Sequence, residues 1–159
     1  MRPDVLVLGL GNELFSDEGA GVVAARRIGA REVDVEVVDG GTLGLALLPT
    51  IEGRGALLVL DAVASDDLEP GRVVVYGGEE LRREARLLYS AHQLGVTEVL
   101  AAADLVGSTP AQVAAVGVVP ASVETGYGLS PVVAAALPKM VDEGLAILRS
   151  WGVRERAHA

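Results

Sequence analysis

The stretch from Val5 to Gly21, Val-Leu-Val-Leu-Gly-Leu-Gly-Asn-Glu-Leu-Phe-Ser-Asp-Glu-Gly-Ala-Gly, constrains the fold more than any other part of the chain. Val5 to Leu8 is an unbroken apolar run, the pattern of a strand buried on both faces, and Gly9, Gly11 and Asn12 interrupt it as a tight turn. A helix is expected next. Ser16 or Asp17 is placed to cap it, and Ala20, Val22, Val23, Ala24 and Ile28 give it an inward face. The acidic pair Asp17-Glu18 therefore stands between a strand and its helix, at the carboxyl edge where open α/β sheets bind ligands.

One reading of this turn is a dinucleotide site. Gly9 and Gly11 supply two glycines of G-x-G-x-x-G, and Asp39 closes the next apolar strand where a ribose-binding acid belongs. The third glycine position is Leu14, however, and the helix opens with two carboxylates. Bare N–H groups and the positive end of the helix dipole draw a pyrophosphate to a helix N-terminus, so Asp17 and Glu18 would repel it. They favour a cation or a basic peptide instead, or act only to cap the helix.

With 159 residues, half of them hydrophobic and only 3% aromatic, the chain suits one α/β domain packed through small side chains. The expected domain covers 1–152, with a frayed polar tail at 153–159. A formal net charge of −9 argues against nucleic acid as the main partner. Arg82, Arg83 and Arg86 are interleaved with Glu79, Glu80 and Glu84, which reads as a solvated face. Cysteine is absent, which removes disulfides, thiolate metal ligands and a Cys nucleophile. No run is long enough to span a membrane, and Met1-Arg2-Pro3-Asp4 leads directly into the first strand without a signal-peptide pattern. A cytoplasmic protein is the expectation.

Val33 to Val38 alternates and ends in Asp39-Gly40-Gly41-Thr42, as a half-exposed edge strand should. A short helix is expected over Leu43 to Ile51. Ala56 to Leu60 is a third strand, with Asp61 at its carboxyl end. Arg72 to Tyr76 follows too soon for a helical crossover, so it should run antiparallel and make the sheet mixed. Glu79 to Leu88 reads equally as helix or polar loop. A helix over Gly95 to Leu105, a strand over Ala111 to Val119 and a loop over Ala121 to Gly128 come next. Ser130 and Pro131 then open a closing helix that runs to Ser150 with Pro138 inside it.

Three polar groups stand at the ends of buried elements: Glu18, Asp61 and His92. A strand order of 2-1-3 brings the first two to one crevice, and His92 is the one histidine outside the tail, where His158 lies. Two carboxylates and an imidazole are a plausible set for a divalent transition metal with a position left open. Each also has a plain structural role as a cap, a turn residue or a hydrogen-bonding histidine.

Gly9 to Gly21 as a whole resembles the opening signature of the hydrogenase maturation proteases. Asp39-Gly40-Gly41-Thr42, Leu60-Asp61-Ala62-Val63, Ser90-Ala91-His92-Gln93 and Gly128-Leu129-Ser130-Pro131 extend the likeness over nearly the whole chain, in order. The resemblance implies a single three-layer α/β/α domain, phosphorylase/hydrolase-like, with a mixed five-stranded sheet of order 2-1-3-5-4 whose fourth strand is antiparallel. It implies an endopeptidase that removes the C-terminal extension of a nickel-loaded nickel-iron hydrogenase large-subunit precursor. It maps the metal-recognising groups onto Glu18, Asp61 and His92, the nickel being recognised in the substrate and absent from the free protein or replaced there by another divalent metal. Water activated by the metal, or by a carboxylate (Asp39 or Asp61) in an aspartic-type route, is the expected nucleophile, since no Ser is paired with a base. A nucleotide-binding domain and a non-catalytic nickel metallochaperone are the alternatives.

Overall fold

The computed structural model describes residues 4–79, 81 and 96–156. Strand β1 (Val5–Leu10) turns through a short 3-10 helix, Ser16–Gly19, into α1 (Ala20–Gly29). Then follow β2 (Glu36–Gly41), a 3-10 turn at Gly44–Leu47 leading into α2 (Leu48–Ile51), β3 (Ala56–Ala62) and β4 (Val73–Tyr76). Helix α3 (Val96–Leu105), β5 (Gln112–Val118) and α4 (Pro131–Ser150) complete the chain. The strands form one sheet of order β2-β1-β3-β5-β4. All pair in parallel except β4, which runs antiparallel to β5. This is the mixed topology expected from the sequence.

Alternation along the central strands divides the core into two layers. Val7, Leu58, Leu60 and Val116 face α1 and α4, where they meet Ile28, Leu137, Met140 and Leu148. Leu6, Leu8, Leu57 and Val59 face the other way, against Ile51 of α2 and Val99 and Leu100 of α3. β1 and β3 are buried almost throughout, whereas β2 and β4 at the edges are only partly covered. On the β2 side, buried Arg54 is ion-paired with Glu36 and donates Nε to the Thr50 carbonyl at 3.0 Å, so this cation is not left unmatched.

Several boundaries differ from the sequence reading, each for a physical reason. Asp39-Gly40-Gly41 belongs to β2 and does not terminate it: Asp39 pairs with Gly9 and Gly41 with Leu10 across a register shift. β3 continues through Asp61 because Asp61 and Ala62 pair with Gly117 and Val118. The tail expected to fray is bonded as far as Arg156. Val33 and Glu155 form an antiparallel bridge, and the Arg156 amide donates to the Glu32 carbonyl at 2.9 Å.

Helix α1 lies close against the carboxyl ends of β1 and β3, and glycine permits that approach. A Cβ on Gly21 would stand 2.2 Å from the Leu60 carbonyl oxygen and 2.6 Å from that of Leu10. Both obstacles are backbone, which cannot swing aside as a side chain can. Gly77, where an added Cβ meets nothing within 4 Å, is the natural control. Gly21→Ala is therefore expected to lose about 3 kcal/mol of unfolding free energy in urea, and Gly77→Ala less than about 0.5 kcal/mol. Equal midpoints for the two variants would show that the close packing of α1 is not fixed by Gly21.

Candidate active site

Glu18 stands on the 3-10 turn between β1 and α1. The turn can fold back on β1 because Gly11 has φ +119°, and a Cβ there would lie 1.8 Å from the Glu18 carbonyl oxygen. Asp61, near the end of β3, is only partly exposed, and its Oδ1 accepts the Ala62 amide at 2.8 Å. Burial pushes the Asp61 carboxyl up to about 7, helped by the nearby negative charge of Glu18 and opposed by the Ala62 amide. Glu18 and Asp61, 43 positions apart in the chain, thus converge closely enough to feel each other's charge. His92 lies outside the described residues, as do His158, Glu80 and the arginines at 82, 83 and 86. Among the described residues no three potential metal ligands cluster.

Asp39 occupies a separate position. It pairs with Gly9 on one side of β1 while Leu60 pairs with Gly9 on the other, so the Asp39 and Leu60 backbones are two strand spacings apart, about 9.6 Å. Its Oδ1 accepts the Gly41 amide at 3.0 Å, and its Oδ2 lies 3.9 Å from Arg26 Nη2. Arg26 is held in turn by Glu13 at 2.8 Å. Asp39 lines an open cleft of about 430 Å³ whose walls include Gly11, Glu13, Leu14, Leu43 and Tyr127. The cleft and Glu18 share the Gly11 turn.

Asp17 is the residue that the sequence reading misassigned. Neither it nor Ser16 makes the expected cap: the position before α1 is Gly19, with no side-chain cap bond. Asp17 is instead fully buried, its carboxylate accepting the amides of Ala121 (2.9 Å), Ser122 (3.1 Å) and Ser130 (2.7 Å) and the Ser130 hydroxyl (2.7 Å). Burial alone would raise its pKa, but these bonds outweigh burial and hold the carboxyl below the ordinary range. Ser130 does sit at the N-terminal boundary of α4, yet its hydroxyl is given to Asp17 and not to the helix. The signal available in the sequence was Ser130-Pro131, which marks a helix start but not its distant partner.

The comparisons with known proteins bear on this arrangement. A hydrogenase maturation protease family model matches residues 23–147. The Escherichia coli hydrogenase 2 maturation protease is 37% identical over 161 residues, spanning 97% of this chain and 98% of that protein. This chain belongs to the hydrogenase maturation protease family. The solved structure of the E. coli hydrogenase-maturating endopeptidase HybD superposes with a TM-score of 0.87 at 37% identity, covering 97% of this chain and 96% of that one. A NiFe hydrogenase maturation protease, HybD from Thermococcus kodakarensis, gives a TM-score of 0.74 at 30% identity, over 92% and 99% of the two chains. As a maturation protease the protein is an endopeptidase, and the dinucleotide reading of the glycine turn falls away. Asp39, the acid assigned to a ribose in that reading, is turned onto Gly41 and Arg26.

The raised Asp61 carboxyl sets a pH dependence for the metal-free maturation protease. Folded Asp61 still holds its proton where the unfolded chain, with its ordinary value of 3.8, has released it. Its ionisation therefore costs stability, progressively, as pH rises from about 4 to about 7, and in full above that. Asp61→Asn removes this cost and keeps an oxygen for the Ala62 amide. In thermal scans the variant should melt with wild type near pH 4 and above it at pH 8. A melting difference that does not change with pH would count against the buried, repelled carboxyl.

Proposed function

We propose that this maturation protease removes the C-terminal extension of a nickel-loaded NiFe hydrogenase large-subunit precursor in the cytoplasm, and that Glu18, Asp61 and His92 recognise the substrate's nickel. The observation that carries this reading is that Glu18 and Asp61, on separate elements at the carboxyl edge, are near enough that, beyond burial, the charge of Glu18 raises the Asp61 carboxyl. Two carboxylates that repel each other there are relieved by a divalent cation, and an imidazole would complete a set suited to nickel. The family and the name of the T. kodakarensis relative support the choice of substrate. No described helix is long and apolar enough to cross a membrane.

Selectivity then follows from electrostatics. With a precursor that lacks nickel, only a proton on Asp61 can offset its repulsion by Glu18, whereas the loaded precursor brings an ion that both carboxylates share. The scissile peptide would lie along the cleft beside Gly11, with Asp39 on its wall. Water is the nucleophile, activated by the metal or by a carboxylate. Asp39 stands outside the acid pair and takes that role in the second route, the other cleft carboxylate, Glu13, being paired with Arg26.

Glu18→Ala and His92→Ala should each leave the protein folded by circular dichroism while slowing cleavage about 100-fold or more. The readout is the mass of nickel-loaded precursor, by mass spectrometry, before and after incubation with the purified enzyme. Wild-type protein should remove the extension; a chaperone would leave the mass unchanged. Normal processing by both variants would rule out metal recognition by these groups.

A further inference from the structure

We propose that Asp17 is a positioning residue for the reaction: its buried carboxylate locks the turn bearing Glu18 onto the segment 121–130 and so fixes where Glu18 stands. The inference rests on the role given to Glu18 above. Asp17 does not line the cleft. Its four bonds all go to a segment more than a hundred residues away in the chain.

The two segments are joined along their length. Phe15 forms a parallel bridge with Gly126, the Ser16 amide donates to the Gly126 carbonyl at 2.8 Å, and the Gly126 amide returns a bond to the Leu14 carbonyl at 2.8 Å. The Asp17 amide donates to the Ser122 carbonyl at 3.1 Å, and the Ser16 hydroxyl to the Glu124 carbonyl at 2.8 Å. Ser16 itself has φ +54°, a left-handed conformation that a non-glycine residue keeps only where its surroundings hold it. Released from residues 121–130, the turn would relax at Ser16 and carry Glu18 with it.

A carboxylate is required at this point. Four donors converge on two oxygens, and a charged acceptor makes the stronger bonds. Asparagine has the same size but one acceptor oxygen, and its amide group would face N–H donors. The carboxylate also lies at the N-terminus of α4, a helix of 20 residues, where the dipole favours negative charge. The turn bearing Glu18 is thereby tied to the longest of the described helices.

Asp17→Asn and Ser130→Ala, with Ser130→Thr as the conservative replacement, test this in cleavage of nickel-loaded precursor. A displacement of about 1 Å in a group that positions the substrate costs up to about 100-fold. Asp17→Asn should lower kcat/KM for nickel-loaded precursor about 10-fold or more. Ser130→Ala should do the same more mildly, and Ser130→Thr should restore the rate. In a Glu18→Asp background, where the carboxylate is already displaced, Asp17→Asn should cost no more than about 3-fold, while its effect on the melting temperature is unchanged. Equal rate losses in both backgrounds would make Asp17 merely structural and overturn the proposal. If Asp17→Asn does not fold, Ser130→Ala decides, and wild-type cleavage by folded Ser130→Ala overturns it. Slow Glu18→Ala beside normal Asp17→Asn overturns this proposal alone. Wild-type cleavage by Glu18→Ala overturns the metal reading and this proposal with it.

Discussion

The rest of the structure depends on how closely α1 can approach the carboxyl ends of β1 and β3. Gly21 leaves room for the carbonyls of Leu10 and Leu60, and Gly9 meets the same helix, where an added Cβ would stand 2.8 Å from Ala25 Cβ. Side chains at these points would push the helix outward. The 3-10 turn ahead of α1 would move with it, and Glu18 would be withdrawn from Asp61. The glycines of this turn therefore serve to bring an acid close to a neighbouring strand, although the same spacing also belongs to phosphate-binding turns.

Proximity alone would leave Glu18 on a short turn free to relieve its repulsion of Asp61. Asp17 limits that freedom. One side chain of the Asp17-Glu18 pair is buried and fully bonded, and the other is left partly exposed beside a second acid. Adjacent residues of the same charge thus have opposite environments. Hydrogen bonds stabilise the ionised form of Asp17, whereas burial and Glu18 destabilise the ionised form of Asp61.

The sequence revealed the features whose causes are local. Val5–Leu8 and Ala56–Leu60 are continuous apolar runs, so β1 and β3 were legible as buried strands, and the short interval before β4 showed that it must run antiparallel. The extension of β2 through Asp39-Gly40-Gly41 was hidden because two glycines look like a turn unless their pairing with Gly9 and Leu10 is known. Asp17 was misread for the same reason. Cap chemistry is local and visible, whereas its true partners are 104 to 113 residues away and are mostly backbone amides that carry no sequence signature. Glu18 and Asp61 were legible as a pair because a 2-1-3 strand order, the one the family resemblance implies, puts both at one edge.

An acid pair of this kind is poorly suited to wait with both charges exposed and well suited to respond to a cation. With the Asp61 carboxyl near 7, a divalent ion held as proposed would compete with the proton for the same oxygens around neutral pH and displace it on binding. The burial that makes Asp61 hard to ionise also strengthens its attraction to a metal once the proton has left, because the same low dielectric magnifies both effects. Under the proposed recognition, a pair fully open to water would bind the ion more weakly and distinguish loaded from empty precursor less sharply. On the proposed reading, rigid support beneath Glu18 adds to the contrast: an acid unable to swing away keeps in place whatever repulsion the Asp61 proton does not relieve, until a cation offsets it.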